Sequence, residues 1–252
     1  MPKPKSSPHP WLAKKSVSVI LPVYAEDETI PLAVSGLKQA LGPYLLETIA
    51  VVSPHSPPRT ISICRSLARR DRSFHFEMQA RNPGLGWAVR QGLAHARGDY
   101  VLMMDSDGEM DPRTARLMLQ QLQHQPLDLI VASRWMQPRS LIGYGRLKYH
   151  INRSFQLFNR LLFGLSISDC SLGYKLLSRR FAQSAQWKGR RHEIALETTL
   201  RPILMGARYV QVPTRWTART TGSSKNNWGG NFRYLGMSLR LLAERTMGRV
   251  KA

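Results

Sequence analysis

From Ser16 onward, short apolar runs alternate with amphipathic segments, and this alternation limits the fold more than any other feature of the chain. Val17–Val23 reads as a strand, Glu28–Leu41 as a helix, Glu47–Val52 as a strand, Thr60–Arg70 as a helix and Phe74–Met78 as a strand. A helix over Gly86–Ala96 follows, then a strand ending at Met104, a helix over Pro112–Leu122 and a strand over Leu127–Ala132. Strands of near-continuous apolar residues separated by helices are the mark of βαβ units. They predict an α/β fold with a mostly parallel sheet and helices on both faces. A chain of 252 residues can bury a substantial core as one domain. No internal repeat and no break in composition divides residues 16–230, so these are read as one unit.

The segments outside that unit differ. Residues 1–15 hold four prolines and four lysines with little apolar content, and read as a flexible basic leader. Residues 231–252 read as a C-terminal amphipathic helix and tail. No stretch approaches the roughly 18 apolar residues of a spanning helix, and no apolar signal core follows the basic start. The expectation is a cytoplasmic protein. Cys64 and Cys170 have no metal-binding or redox spacing and read as incidental reduced thiols.

Charge points to the partner. The 37 Lys+Arg against 16 Asp+Glu leave a formal +21, which calls for an anionic partner: nucleic acid, an anionic membrane surface or a phosphorylated substrate. No helix-turn-helix, zinc or aromatic RNA-binding signature is present, so nucleic acid is set aside. The segment Tyr144 to Leu165 favours the membrane. At about 100° per residue, Leu147, Ile151, Phe155, Phe158 and Leu162 share one wedge of a helix, with Arg146, Arg153 and Arg160 on the opposite side. Phe232, Leu235, Leu239 and Leu242 repeat the pattern with Arg233 and Arg240 alongside. Such segments serve either as ordinary core-facing helices or as interfacial helices beside anionic lipid.

The chemistry-bearing residues gather at one edge of the expected sheet. Asp105-Ser106-Asp107 follows the apolar run Asp99 to Met104, so its carboxylates emerge at a strand's carboxyl end, where open α/β sheets bind ligands. Two carboxylates with one residue between them suit a hard cation, Mg²⁺ or Mn²⁺, whose remaining positions go to diphosphate oxygens. Pro22, Tyr24 and Glu26 end the first strand at the same edge and offer an aromatic ring and a carboxylate to a nucleobase; the proline is expected to end the ladder. Gly84 and Gly86 form a glycine-rich turn opening a helix, able to present N–H groups to a phosphate or a sugar hydroxyl, or to serve as a simple tight turn. Asp169 to Lys175 places an acid and a base around a turn glycine. Arg219 to Lys225 is a basic, hydroxyl-rich segment of the sort that closes over phosphates.

The order and spacing of these clusters resemble family 2 glycosyltransferases of the GT-A fold, and within them the dolichyl- or polyprenyl-phosphate mannose and glucose synthases. The resemblance runs from about Ser16 to Lys225. Pro22, Tyr24 and Glu26 match the family's Pro-x-Tyr-Asn-Glu, and Gly84, Gly86, Ala88 and Gly92 its Gly-x-Gly-x-Ala turn. Arg97-Gly98-Asp99 matches the Arg-Gly-Asp leading into the metal strand, and Ser133-Arg134 the Gly-Ser-Arg after the next strand. Asp169 to Lys175 parallels Asp-Pro-Thr-Ser-Gly-Phe-Arg, and Arg219 to Lys225 parallels Arg-x-x-Gly-x-Ser-Lys. The chain departs from the family after the second strand, where Val-Asp-Asp-x-Ser is replaced by Val52-Ser53-Pro54-His55-Ser56. Base and ribose recognition then falls to Glu26, backbone groups or His55.

The resemblance implies a Rossmann-like GT-A domain carrying amphipathic interfacial helices, which transfers one sugar from a nucleotide diphosphate sugar with inversion. It implies Mg²⁺ or Mn²⁺ on Asp105, Asp107 and Glu109, with Asp105 on the ribose or the metal's water. Arg134, Arg219 and Lys225 would clamp phosphates. A lipid phosphate acceptor is already ionised and needs no base, whereas a hydroxyl acceptor does, and Asp169 is the candidate for that role. The basic amphipathic segments favour a polyprenyl phosphate or another membrane-associated acceptor, with the protein peripheral on the cytoplasmic face and a separate membrane protein as a further expected partner. The alternatives are a transferase acting on a hydroxyl acceptor in polysaccharide synthesis, and a non-catalytic binder that keeps the nucleotide-sugar fold.

Overall fold

The computed structural model describes residues 15–81, 84–218 and 228–249, with side chains given from Phe232 in the last segment. Three strand–helix repeats open the chain: β1 (Val17–Val23), α1 (Thr29–Leu41), β2 (Leu45–Val52), α2 (Pro58–Arg70), β3 (Phe74–Met78) and α3 (Leu85–His95). Then come β4 (Tyr100–Met103), α4 (Thr114–His124), β5 (Leu129–Ser133), β6 (Leu141–Ile142) and α5 (Arg146–Phe163). The last third holds β7 (Lys175–Ser178), α6 (Arg179–Ser184), α7 (Ile194–Leu204), β8 (Tyr209–Pro213), β9 (Trp216–Thr217) and α8 (Trp228–Thr246).

Seven strands form one sheet in the order β3-β2-β1-β4-β7-β5-β8. Every pairing in it is parallel except those of β7, which runs antiparallel to both β4 and β5. The chain steps outward from β1 through β2 to β3, then returns to place β4 on the other side of β1. That reversal opens a crevice beyond the carboxyl ends of β1 and β4. Alternation along the strands sends Val19, Leu21 and Val23 to one core and Ile20 to the other. The first core is closed by α1, α2 and α4, the second by α3, α7 and α8. In α1, Ile30, Ala33, Val34, Leu37 and Leu41 form the buried stripe, and Gly42 at φ 53° ends the helix by donating its N–H to Lys38 O.

The Arg97-Gly98-Asp99 motif lies at the opposite edge from that crevice and acts as a lock. Glu47, 2 % exposed, accepts from Ser18 Oγ at 2.7 Å, Arg97 N at 2.9 Å and Arg97 Nη2 at 2.6 Å. Gly98 N donates to Ser18 Oγ at 2.7 Å, and a Cβ on Gly98 would lie 2.5 Å from Ser18 N. Asp99 in turn accepts from Ser16 N at 3.0 Å. This network sets the register of β4 against β1, and thereby the place where β4 delivers its acids.

Helix α5 turns only part of its apolar wedge inward: Phe155 and Leu162 pack on the second core, whereas Leu147 and Phe158 are exposed. The residues it buries are Gln156, Asn159 and Phe163, whereas Leu147 (65 % exposed), Leu157, Phe158 and Leu161 (75 %) face outward. Gln156 accepts from Cys170 N and donates to Ser171 Oγ, both at 2.8 Å, and Asn159 Oδ1 accepts from Ser238 Oγ of α8 at 2.7 Å. Polar side chains fasten this helix inward beside Phe155, Leu162 and Phe163, while Leu147, Leu157, Phe158 and Leu161 are left outside. Helix α8 begins three residues before the expected boundary at 231 and packs against α5 and α7, with Phe232 (75 %), Leu235 and Leu239 exposed. No helix among the described residues is long and apolar enough to cross a membrane.

Candidate active site

Asp105 and Asp107 leave β4 at the crevice, as the pattern of the sequence predicted. The residue between them stitches the loop in place: Ser106 Oγ donates to Pro22 O at 2.8 Å, and Thr29 Oγ1 donates to Ser106 O at 2.7 Å. Pro22 does not end the β1 ladder, which continues to Val23 paired with Val52. It is the β4 side that ends, at Ile20, leaving the Pro22 carbonyl to accept Ser106. Asp107 is nearly buried, and its Oδ1 accepts Glu109 N at 3.0 Å. Gly173 lies against Asp105: a Cβ there would sit 3.3 Å from Asp105 Oδ2.

The third expected metal ligand is held apart from the first two. Glu109 Oε2 accepts from Trp216 Nε1 at 2.8 Å, and Thr217 N donates to Glu109 O at 2.9 Å, so β9 fastens this residue. Among the described residues no three His, Cys, Asp or Glu side chains converge as a metal cage. Two carboxylates on alternate residues are nevertheless the donor set of a Mg²⁺- or Mn²⁺-type site, in which one or two carboxylates and substrate phosphates share the ion. The residues fit such an ion with Asp105 and Asp107 as the protein's share.

At the end of β1, Tyr24 stands exposed, while Glu26 turns back to accept from Tyr24 N at 2.6 Å and Ala25 N at 3.0 Å. The carboxylate thus holds the loop that carries the ring. After β2, Ser53 is buried and takes Val23 O through its N–H, and His55 N donates to Ser53 Oγ at 3.2 Å. Hydroxyl and backbone here build the turn that the missing acids would occupy.

Three motifs have a different local role from the one expected. The turn at Gly84 and Gly86 packs on backbone: Gly86 N donates to Arg190 O at 3.1 Å, and a Cβ on Gly84 would lie 2.2 Å from that same oxygen. Its glycines are required by the close approach of the 189–190 loop, and the Gly86 N–H is spent there. Arg134 does not reach outward as a phosphate clamp. Its Nε and Nη2 donate to Asp169 Oδ2 at 2.8 Å and Oδ1 at 3.0 Å, with Asp169 0 % exposed. Burial opposes the charge on that guanidinium, but the Asp169 carboxylate outweighs it and raises the Arg134 pKa. Asp169, expected as a base, has both oxygens committed to this pair. Arg219 and Lys225 lie outside the described residues.

Lys175 is the unusual member of the Asp169–Lys175 segment. It is fully buried, and its Nζ donates to Ala195 O at 2.5 Å, Thr198 Oγ1 at 3.1 Å and Thr199 Oγ1. Burial among neutral acceptors pushes its pKa down from 10.5 to about 7, against the smaller opposing influence of Cys170, Asp169 and Asp105. The unfolded chain therefore holds a proton that the folded chain has released between about pH 7 and 10.5. More protons bound to the unfolded state means that stability rises with pH in that window. The expected result is that the melting temperature of the protein gains on that of Lys175→Met as pH goes from 7 to 10. Parallel curves would show that Lys175 folds with its ordinary affinity for a proton.

Sequence reasoning missed an aromatic wall beside the acidic loop. Trp216 meets Tyr144 edge-on with centroids 4.9 Å apart, and Lys148 Nζ stands 4.7 Å and 4.9 Å from the centres of these two rings. Trp135 and Tyr149 meet edge-on at 5.1 Å, with the Arg153 guanidinium 5.3 Å from the Trp135 ring. The alternation of Trp and Tyr with Lys and Arg over 135–153 was the available signal.

Comparison with known proteins agrees with this architecture. The model of the family described as "Glycosyl transferase family 2" matches residues 18–184. An undecaprenyl-phosphate mannosyltransferase from Micrococcus luteus is 26 % identical over 84 % of the chain and 88 % of its own length. A polyprenol monophosphomannose synthase from Mycolicibacterium smegmatis is 28 % identical over 85 % of the chain and 82 % of its own. The fold matches that of glucosyl-3-phosphoglycerate synthase from Mycobacterium tuberculosis in complex with UDP, with a TM-score of 0.72, 17 % identity and coverage of 92 % and 81 % of the two chains. A sheet of this order, with an acidic pair at its reversal point and a family model spanning most of the chain, has one reading: the chain belongs to glycosyl transferase family 2, with the GT-A fold.

Proposed function

We propose that the chain transfers a sugar, with inversion, from a nucleotide diphosphate sugar to a polyprenyl phosphate at a membrane surface. Asp105 and Asp107 would hold a divalent cation shared with the donor diphosphate, and Tyr24 would stack on the base. Solved structures of the glucosyl-3-phosphoglycerate synthase contain UDP together with Mn²⁺ or Mg²⁺, which supports this donor chemistry. When bound there, the cation would neutralise charge on the departing diphosphate. An oxygen of the acceptor phosphate attacks the anomeric carbon as the bond from that carbon to the diphosphate breaks. The acceptor oxygen is already ionised, so no base is needed and positioning carries the step. A phosphate acceptor therefore accommodates a site whose expected base, Asp169, is buried on Arg134.

The observation that carries the acceptor is the outward apolar face of α5 and α8. Leu147, Leu157, Phe158 and Leu161 on one helix and Phe232, Leu235 and Leu239 on the other are exposed, with Arg146, Arg153, Arg233 and Arg240 close by in sequence. Apolar residues at the acyl boundary with arginines at the headgroups are the make-up of an interfacial helix. Lys148, over the rings of Tyr144 and Trp216 beside Glu109, and Arg153, over Trp135, are the α5 cations that would meet an acceptor phosphate. The similarity to an undecaprenyl-phosphate mannosyltransferase and a polyprenol monophosphomannose synthase supports the same acceptor. The protein then sits peripherally on the membrane face that nucleotide sugars reach. The test is transfer from radiolabelled GDP-, UDP- and dTDP-sugars, with Mn²⁺, to polyprenyl phosphate in vesicles. An organic-soluble, acid-labile product from one donor is expected. Transfer to free sugar hydroxyls alone would move the protein to polysaccharide synthesis, and transfer to nothing would favour a non-catalytic binder.

A further inference from the structure

A groove of about 1140 Å³ runs between α3 and α8, across the 185–190 loop, away from the Asp105/Asp107 loop. Its walls carry Arg90, Lys188, Arg190, Arg233 and Arg240 against a single acid, Glu193. Trp87 forms part of one wall, flanked by the guanidinium groups of Arg90 at 4.2 Å and Arg81 at 5.1 Å from its ring. Nothing in the transfer reaction uses these cations. Their excess calls for an anion.

Two further observations narrow the anion. Glu193 is 9 % exposed; its Oε1 accepts Arg190 N at 2.9 Å and Arg191 N at 3.1 Å, while its Oε2 has no hydrogen-bond partner among the described residues. A buried carboxylate oxygen without a donor is costly, and a ligand hydroxyl would satisfy it. The second observation is the placement of α8. At about 100° per residue, Arg233, Gly236, Met237 and Arg240 form the flank that lines the groove. Phe232, Leu235 and Leu239 form the adjoining flank, which faces outward, and Tyr234 and Ser238 the flank that meets α5. The basic groove therefore opens directly beside an exposed apolar stripe.

We propose that this groove binds the headgroup of an anionic glycerophospholipid, with its phosphate among the arginines, a headgroup hydroxyl on Glu193 and its acyl chains along the apolar stripe of α8. The proposal rests on the membrane-surface reading above and adds a lipid site separate from donor and acceptor. A soluble phosphate would satisfy the cations and leave the stripe bare, which is why the lipid is the occupant. Bound there, it fixes the roll of α8, and with it the tilt of the crevice over the membrane.

The experiment is co-sedimentation of the full chain with phosphatidylcholine vesicles, with and without phosphatidylglycerol. In Arg90→Gln/Arg240→Gln, binding to the phosphatidylglycerol vesicles is expected to fall about 25-fold, about fivefold per arginine, with Mn²⁺-dependent nucleotide binding retained. Leu157→Asp/Leu161→Asp, which leaves the groove intact, weakens binding to both kinds of vesicle. If that α5 variant loses membranes while the arginine variant binds as the parent does, the groove proposal fails and the membrane reading stands. If neither variant changes binding, both fail. Glycerol phosphate binding to the parent protein as tightly as phosphatidylglycerol vesicles do, with the apolar stripe adding nothing, would overturn the lipid as occupant. Equal binding to vesicles carrying phosphatidylmethanol, a diester of the same charge without a hydroxyl, would overturn the Glu193 contact.

Discussion

In Asp107→Asn, Mn²⁺ no longer strengthens nucleotide binding, and turnover falls about 10³-fold, while the melting temperature stays near that of the parent. The size follows from the several kcal/mol a cation supplies to a departing diphosphate, at about tenfold in rate for each 1.4 kcal/mol. Asparagine is the informative replacement because of what Asp107 does within its own loop. Its Oδ1 accepts Glu109 N at 3.0 Å, a bond that an amide oxygen keeps and alanine loses. Asp107→Ala therefore mixes loss of the cation with loosening of the loop, whereas Asp107→Asn removes the charge and leaves the turn. Calorimetric titration of GDP, UDP and dTDP with and without Mn²⁺ reads the first effect and thermal unfolding reads the second. Unaltered Mn²⁺-dependent binding in Asp107→Asn would remove the ion from this loop and leave the acidic pair without its proposed role.

The half of the sheet laid down by local pattern was legible in the sequence. β1 and β3 span the ranges expected of them, and in β1, buried at every position, the near-continuous apolar run is what marks the strand. The second half was not. β7 is four residues long, one of them a lysine, and its place between β4 and β5 rests on antiparallel pairing to residues more than 40 positions upstream. α7 buries Glu197, Thr198, Thr199 and Arg201 and contains Pro202, so neither periodicity nor propensity marks it. Glu197 explains its own burial: it accepts Lys188 N, Gly189 N and Arg201 Nε, pinning the loop that packs on Gly86. The acidic pair was readable because strand and carboxylates are adjacent in sequence. The partners of Arg134 and Gly86 were not, since Asp169 and Arg190 are brought in by the fold from distant parts of the chain.

Asp169→Asn carries the largest expected effect on stability, and its outcome decides what Asp169 is for. Arg134 is 7 % exposed and Asp169 0 %, and two hydrogen bonds from the guanidinium join them at the end of β5. Asparagine keeps one acceptor but turns an N–H₂ toward the guanidinium and removes the charge that balances it. Leaving one member of a buried pair costs about 3–5 kcal/mol, which in a domain of this size lowers the melting temperature by roughly 10 °C. The pair as a whole is worth far less than that, because its desolvation already offsets most of the attraction. Arg134→Met/Asp169→Leu is therefore expected to melt above Asp169→Asn, and its cost to fall well short of the sum of the single changes. Transfer to polyprenyl phosphate, measured below the melting range, should then survive in both variants at a reduced level. A base would behave in the opposite way. Asp169→Asn would melt near the parent yet lose turnover almost entirely, and restoring stability through the double change would restore no activity. That result would assign the acceptor a hydroxyl and the buried pair a catalytic purpose; the commitment of both Asp169 oxygens to Arg134 predicts the first.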